Sequence, residues 1–231
     1  MEDRQGPLPA LLLILTGVTG LVDAVSYLKL GHVFVANMTG NVVFLGFAVA
    51  DAADFSVSAS LAATAAFLAG ALAGGAISSK AGHHRARLLA IAISLQIALV
   101  GAALVVSMRG LDPDGALVRY SLIGLLALAM GVQNATARRL GVPDLTTTVL
   151  TLTLTGLAAD STLAGGKNPR PGRRLIAVAT MFIGAAVGAV LVLRVGVGVA
   201  AVLALALALL VLNGVATWRL WSSSAPWTVG Q

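Results

Sequence analysis

Residues 33–44 read VFVANMTGNVVF, and the interpretation of the whole chain depends on this stretch. Four of its residues, Asn37, Thr39, Gly40 and Asn41, are polar or flexible although the surrounding run is apolar. Irregular, polar backbone is unfavourable at membrane depth unless protein or water satisfies its amides. The stretch therefore predicts a break in a hydrophobic segment, and such breaks usually serve a function.

The composition of the chain indicates its class. Its 231 residues are 58% hydrophobic and only 10% charged, with a mean hydropathy of +0.95, whereas a soluble domain carries about 25% charged residues. Several runs approach the roughly 20 apolar residues that cross about 30 Å of hydrocarbon. These runs are continuous in Leu, Ala and Val, unlike the alternating strands of a membrane barrel. The sequence predicts an all-α, polytopic membrane helix bundle.

Eight apolar segments follow one another, and two of them carry many polar residues. We call these two the first polar segment (33–50) and the second polar segment (145–163). The other six are predicted to span the membrane: 10–28, 57–79, 88–108, 117–137, 175–193 and 197–218. We expect the first helix to be retained, since no small-residue cleavage site follows it, and the tail after residue 219 to fray.

The two halves of the chain resemble each other. Short matches recur in order at offsets of 111 to 114 residues: Gly20 and Asp23 with Gly131 and Asn134, then Gly70 and Gly74 with Gly184 and Gly188. Self-similarity at a fixed period indicates duplication. We expect a single membrane domain, residues 1–231, with internal repeats of about 10–108 and 117–218.

Lys and Arg residues lie mostly in the short linkers, where they orient a membrane protein, so we do not expect nucleic-acid binding. If all eight segments cross, eight positive charges fall inside and seven outside. If both polar segments turn back, the count becomes eleven against four, which is the bias that cytoplasmic loops show. We therefore expect about six spans in the inner (plasma) membrane, with both termini cytoplasmic.

Each repeat then holds three spans plus a re-entrant segment, and an odd number of spans makes the repeats inverted. A seven-span arrangement, in which the first polar segment crosses and the N-terminus lies outside, gives the same charge count. Only the symmetry of the repeats argues against that alternative.

Asp23 is the one acidic residue well inside an apolar run, and a charge at a helix centre costs about 2.5–3.5 kcal/mol on insertion scales. It is either a protonatable or cation-coordinating group beside a substrate path, or an acid held neutral or hydrogen-bonded to the broken backbone of the first polar segment. Residues three, four or seven positions away share its helix face: Thr16, Thr19, Gly20, Ser26 and Tyr27.

The polar residues of both halves could line such a path. Asn and Thr side chains cap half-helices around a cavity, and Gly40 permits the turn. Alternatively, these side chains hold helices together or bond to carbonyls of their own helix. The candidates for a substrate or ion path are Asp23, Tyr27, Asn37, Thr39, Gly40, Asn41, Gln133, Asn134, Thr147, Thr151 and Thr155.

Other features indicate packing. The pairs Gly70/Gly74 and Gly184/Gly188 have the spacing of close helix contacts, made either within the chain or across a homodimer. His83 and His84 belong to a basic loop, so we expect no metal site. With no cysteine in the chain and no HExxH, GxSxG or phosphate-binding glycine loop, we expect no cofactor and no enzyme.

The opening motif resembles that of a known family, the YoaK-like bacterial membrane proteins (domain of unknown function 1275). Its pattern G-x-x-D-A-x-S-Y, then F-x-x-N-x-T-G-N, is matched by Gly20, Asp23, Ala24, Ser26, Tyr27, Phe34, Asn37, Thr39, Gly40 and Asn41. A second motif, G-x-Q-N-A before a threonine-rich stretch, is matched by Gly131, Gln133, Asn134, Ala135 and residues 147–151. The Thr-Gly expected there reads Thr151-Leu152. The resemblance implies an integral membrane protein and adds no activity.

Three functions fit these observations. The first is a transporter of a small solute or ion, with its site between Asp23 and the two polar segments. The second is a passive channel of the same architecture, and the third is a membrane scaffold or assembly protein in which the polar residues only pack. The expected partners are the lipid bilayer and an unknown small molecule or ion.

Overall fold

The computed structural model describes residues 5–50, 52, 55–81, 83–109, 115–143, 145, 150–166 and 171–229. These residues form α-helices joined by short loops and contain no strand. The helices are α1 (Leu8–Lys29), α2 (Met38–Val49), α3 (Val57–Ala81), α4 (Arg85–Met108), α5 (Ala116–Leu140), α6 (Leu150–Ala159), α7 (Pro171–Val190, continued by a π-helical turn at Leu191–Val195) and α8 (Val199–Arg219).

Six of these helices are long and apolar enough to cross a membrane, with 21 to 25 residues each. The other two, α2 and α6, have 12 and 10 residues. At about 1.5 Å per residue they reach only about 18 and 15 Å, which is short of the roughly 30 Å of hydrocarbon. The prediction of a polytopic bundle with six spans is confirmed.

The first polar segment begins and ends at the same end of the bundle. The ring centroids of His32, just after α1, and Phe55, just before α3, lie 6.3 Å apart. Between them the chain runs without helical structure to Asn37 and then forms α2. This segment therefore turns back, as the symmetry of the repeats predicted, whereas the charge count fitted both arrangements equally.

The second polar segment also returns to the end from which it starts. It follows the C-terminus of α5 and precedes the N-terminus of α7. Both of these helix termini lie at the end of the bundle that holds the N- and C-terminal residues of the described chain. Three side-chain contacts join the chain there: Arg85 Nη2 donates to the Leu140 carbonyl, Arg173 Nη1 donates to Gln5 Oε1 at 2.7 Å, and His84 Nε2 lies 3.1 Å from the Ser223 carbonyl oxygen.

The C-terminal tail folds back onto this end, which corrects the expectation that it frays. Trp227 is only 8% exposed, and its ring occupies the space that a side chain at Gly6 would fill. Val229 forms an isolated β-bridge with His84. The physical reason is that the large apolar ring of Trp227 is more favourable buried than in water.

Glycines allow the two closest helix crossings. In α1 and α7, a Cβ added to Gly20 would lie 2.7 Å from the Ala185 amide nitrogen, and one added to Gly184 would overlap the Gly17 carbonyl. The crossing of α3 and α5 is built in the same way, with Gly131 against Ala71 and Gly70 against the Leu128 carbonyl. Both predicted glycine pairs therefore find their partner helix within this chain.

The remaining long helices complete the bundle. α4 packs against α5 and α8, and α8 packs against α1. Their inward faces join one apolar core, which includes Leu15, Ile93, Leu126 and Leu203. In contrast, α2 and α6 pack mainly on a single neighbour, α3 and α7 respectively. The two short helices are therefore the least embedded α-helices of the described chain.

Candidate functional site

The site starts at the turn that ends α1. Gly31 and His32 both have positive φ angles, 93° and 54°, a backbone conformation that glycine adopts freely and most other residues avoid. This turn reverses the chain, so that residues 33–37 run back along the last turns of α1 without helical hydrogen bonds. Their backbone amides need partners from elsewhere in the protein, because lipid supplies none.

Asp23 supplies two of these partners. Its Oδ1 accepts hydrogen bonds from the backbone N–H groups of Val35 (3.0 Å) and Ala36 (2.8 Å). The residue is 4% exposed, and its Oδ2 makes no hydrogen bond with any described residue. Asp23 thus holds the broken backbone, as one of the two sequence-based alternatives proposed, and keeps a second oxygen for other contacts.

Asn41 fixes the other side of the break. Its Oδ1 accepts from the Phe34 N–H at 2.8 Å, and its Nδ2 donates to the Phe34 carbonyl at 2.6 Å. An amide side chain offers a donor and an acceptor in this spacing. Asn41 is almost fully buried, with 1% exposure, so its role is to close the loop that precedes α2.

Asn37 and Gly40 shape the start of α2. Asn37 is the N-cap residue, and its side chain lies 3.4 Å from the Gly40 N–H as acceptor, which satisfies one of the free donors of a helix N-terminus. A Cβ on Gly40 would lie 2.7 Å from the Phe34 ring. The motif F-x-x-N-x-T-G-N therefore builds the half-helix, which explains each of its fixed positions except Thr39.

A cavity of about 360 Å³ lies where these elements meet α6 and α7. It is lined by Asp23, Asn37, Thr39, Gly40, Val43, Phe44, Leu150, Thr151 and Met181. The N-cap and first turn of α2 belong to this wall, together with Leu150 and Thr151 of α6, and a helix N-terminus carries partial positive charge. The cavity thus presents the N-terminus of α2, several neutral oxygens and the carboxyl group of Asp23 to whatever enters it.

An aromatic cluster covers the side of α2 nearest the α1 turn. Tyr27 stacks on Phe34 with ring centroids 5.1 Å apart, Phe34 lies 5.5 Å from Phe44, and Phe44 lies 4.9 Å from Phe55. Phe44 also lines the cavity. Tyr27, a predicted path residue, therefore packs in this cluster and does not line the cavity.

The threonines of α6 divide between three environments. Thr151 lines the cavity, Thr153 is buried with 7% exposure, and Thr155 is exposed outside the cavity wall. Thr147, also predicted to face the path, lies outside the described residues. The C-terminal part of α6 is held by Arg174, which donates to the Gly156 carbonyl and forms a 2.8 Å ion pair with Asp160.

The α5 candidates do not join the cavity wall. Gln133 is fully buried, and its Nε2 donates to Thr19 Oγ1 at 2.7 Å, while Asn134 donates to the Met130 carbonyl of its own helix at 2.9 Å. Sequence reasoning missed the lining residue Met181 and the anchor Arg174. An arginine in a basic linker gave no signal of this role, and Met181 looked like any lipid-facing residue.

Metal binding was not expected from the sequence, and the described residues contain no group of three His, Cys, Asp or Glu side chains that could hold an ion.

The chain is 37% identical over 153 residues to the UPF0700 transmembrane protein YoaK of Bacillus subtilis (strain 168). That match covers 65% of this chain and 65% of the relative. No solved structure matches the chain.

The model of the family described as "Protein of unknown function (DUF1275)" matches residues 11–213. This range includes Asp23 and both polar segments, and it extends into α8. It agrees with the resemblance inferred from the two sequence motifs. The chain is a multi-pass membrane protein that belongs to the DUF1275 family.

Proposed function

We propose that this protein is a transporter, not an enzyme, and that it moves a small polar solute or an ion through the cavity beside Asp23. One observation carries the proposal: the cavity of about 360 Å³ is lined jointly by α1, α2, α6 and α7. Non-helical backbone at membrane depth is found where it lines a cavity or is buried in protein. Half-helices whose N-termini point at a substrate site recur in secondary transporters, and the N-terminus of α2 lies in the wall of this cavity.

The helix crossings support inverted repeats, the architecture that transporters of this kind use. A Cβ on Gly20 would lie 2.7 Å from the Ala185 nitrogen, and one on Gly131 would lie 2.7 Å from the Ala71 nitrogen. These two contacts are related by the offsets that the sequence repeat predicts. Two repeats of this kind, each with three spans and one half-helix, can rock against each other around a central site.

The distribution of charge supports an orientation in the plasma membrane. The end of the bundle that holds both described termini carries Lys80, Arg85, Arg87, Arg138, Arg139, Arg173, Arg174 and Arg219. The opposite end carries Lys29, Arg109, Arg119 and Arg194. Because cytoplasmic loops are enriched in Lys and Arg, we place the termini in the cytoplasm.

Two bulky substitutions on α6 test the proposed route. Thr151 lines the cavity, and Thr155 is exposed one turn later outside its wall. Thr151→Trp should therefore fill the cavity, whereas Thr155→Trp adds the same side chain to the same helix without doing so. Proteoliposomes would be tested with Na⁺, K⁺, Cl⁻, urea and glycerol gradients.

We expect at least one of these probes to cross faster than in protein-free liposomes. The Thr151→Trp variant should lose that flux, and the Thr155→Trp variant should keep it. Equal flux in both variants would contradict the proposed route, and no flux in the wild type for any probe would favour the scaffold. A flux that does not saturate with concentration would identify a passive channel of the same architecture.

A further inference from the structure

A second polar region lies in the centre of the bundle, separate from the cavity. The helices α1, α8, α4 and α5 form a ring in which each helix contacts the next. Three amide side chains interrupt the apolar core of this ring: Gln96 from α4, Gln133 from α5 and Asn213 from α8. Each of the three is 0% exposed.

The amide nitrogens of two of these side chains bond to α1. Gln133 Nε2 donates to Thr19 Oγ1 at 2.7 Å and lies 3.4 Å from the Leu15 carbonyl. Asn213 Nδ2 donates to the Leu11 carbonyl at 3.0 Å. Leu11 and Leu15 are one turn apart, about 6 Å along the helix. The two amides therefore reach neighbouring turns of α1, at a similar depth in the ring.

The oxygens of the same side chains have no partner within the described part of the chain. Gln96 Oε1, Gln133 Oε1 and Asn213 Oδ1 make no hydrogen bond with any described residue, and neither does Thr136 Oγ1, one turn from Gln133. Exchanging O and N in Gln133 or Asn213 would set an oxygen against a carbonyl oxygen, so the assignment is fixed by the contacts. A buried polar atom left unpaired costs about 1–3 kcal/mol, and four in one ring require an explanation.

We propose that the centre of this ring binds ordered water, which donates hydrogen bonds to the free oxygens of Gln96, Gln133 and Asn213. Water fits because the three amide atoms are neutral acceptors. Each water molecule donates at most two hydrogen bonds, so at least two buried waters, bonded to each other or to further polar groups, serve the three oxygens. A cation would fit less well, since a desolvated charge needs a counter-charge nearby, and the Oδ1 of the nearest acid on α1, Asp23, is bonded to the first polar segment. The proposal does not depend on the transport function.

The buried Met130 reports on this water directly. It is fully buried and lies three residues before Gln133 on α5, so it shares the inward face of that residue. Intense X-ray pulses convert bound water to hydroxyl radicals, which oxidise adjacent methionines to the sulfoxide. We expect oxidation of Met130 in the purified protein, with Met108, which is 68% exposed, as the positive control. An unlabelled Met130 beside a labelled Met108 would overturn the proposal.

The Gln96→Leu variant tests the same water by stability. Gln96 is the mildest site to change, because its amide nitrogen has only a 3.4 Å contact within its own helix. If water binds there, the variant should lower the midpoint of thermal unfolding and reduce Met130 oxidation. If the oxygen is dry, removal of an unpaired acceptor should raise that midpoint, which would contradict the proposal.

The identity of the occupant is tested with salts of equal ionic strength. Thermal unfolding of the wild type would be compared in NaCl, KCl and choline chloride. Bound water predicts the same midpoint in all three salts. A rise specific to one alkali cation, absent in Gln96→Leu, would show that the site holds that cation and would overturn the assignment to water.

Discussion

Among single residues, Asp23 allows its structural role to be separated from the proposed transport role, because both of its backbone hydrogen bonds go to the same oxygen, Oδ1. Asp23→Asn keeps an oxygen that can accept both bonds but removes the charge. Asp23→Leu removes both bonds and leaves two buried N–H groups unpaired, at about 1–3 kcal/mol each. We expect the midpoint of thermal unfolding in detergent to stay near the wild-type value for Asp23→Asn and to fall clearly for Asp23→Leu.

The same pair of variants separates structure from transport. If the carboxylate takes part in proton- or cation-coupled flux, Asp23→Asn should abolish that flux while the protein remains folded. A stable Asp23→Asn protein with unchanged coupling would reduce Asp23 to its structural role. Should Asp23→Asn unfold as readily as Asp23→Leu, the charge itself would be what holds residues 35 and 36.

The sequence pointed to this site through single residues, but the pairing of those residues was not readable. An acidic or polar side chain inside an apolar run is energetically unfavourable in a membrane. For that reason Asp23, Asn37 and Thr151 were predicted as site residues. The clamp between Asn41 and the Phe34 backbone depends on the turn at Gly31 and His32, which no spacing rule predicts. Gln96 and Asn213 were missed because a lone amide in a long apolar helix resembles a tolerated polar residue.

At the scale of helices, the crossing glycines give a matched set of substitutions. Gly70→Ala and Gly131→Ala would drive a methyl group into the backbone of the partner helix, and so would Gly20→Ala and Gly184→Ala at the other crossing. Overpacking of this kind typically costs about 1–3 kcal/mol. We expect all four variants to lower the midpoint of thermal unfolding.

Two other glycines on the same helices serve as controls. A Cβ on Gly75 of α3 or Gly124 of α5 meets no atom within 4 Å, and alanine is favoured over glycine in a helix by about 1 kcal/mol. Gly75→Ala and Gly124→Ala should therefore leave stability unchanged or increase it. Similar losses at both crossings would support the inverted repeats. A loss at only one crossing would mean that the two contacts are not equivalent.

At the scale of the whole molecule, hydropathy and charge were sufficient to predict the bundle, because the long apolar helices leave few alternatives in lipid. Hydropathy and charge were insufficient to predict how the N- and C-terminal residues pack. The tail after α8 has little charge and several small residues, which suggested fraying. Its packing depends on one ring, Trp227, that meets Gly6 across the chain. Contacts between residues so distant in sequence leave no periodic pattern to detect.

The orientation of the molecule can be tested because the chain has no cysteine, so that each introduced thiol is the only one. Lys29→Cys and Ala52→Cys flank the first polar segment, and His83→Cys and Ser224→Cys lie at the opposite end of the bundle. In intact cells, a membrane-impermeant maleimide should label the first two and reach the other two only after permeabilisation. Both flanking sites must behave alike, since His32 and Phe55 are in contact.

Labelling at Lys29→Cys also distinguishes the six-span from the seven-span arrangement, which give the same charge count. A seven-span protein with an external N-terminus would place Lys29 in the cytoplasm and Ala52 outside, because the first polar segment would then cross. Labelling at Ala52→Cys without labelling at Lys29→Cys would therefore contradict the turned-back segment. Labelling of His83→Cys in intact cells would instead show that the whole bundle has the opposite orientation. The end rich in Lys and Arg would then face outward, against the usual bias.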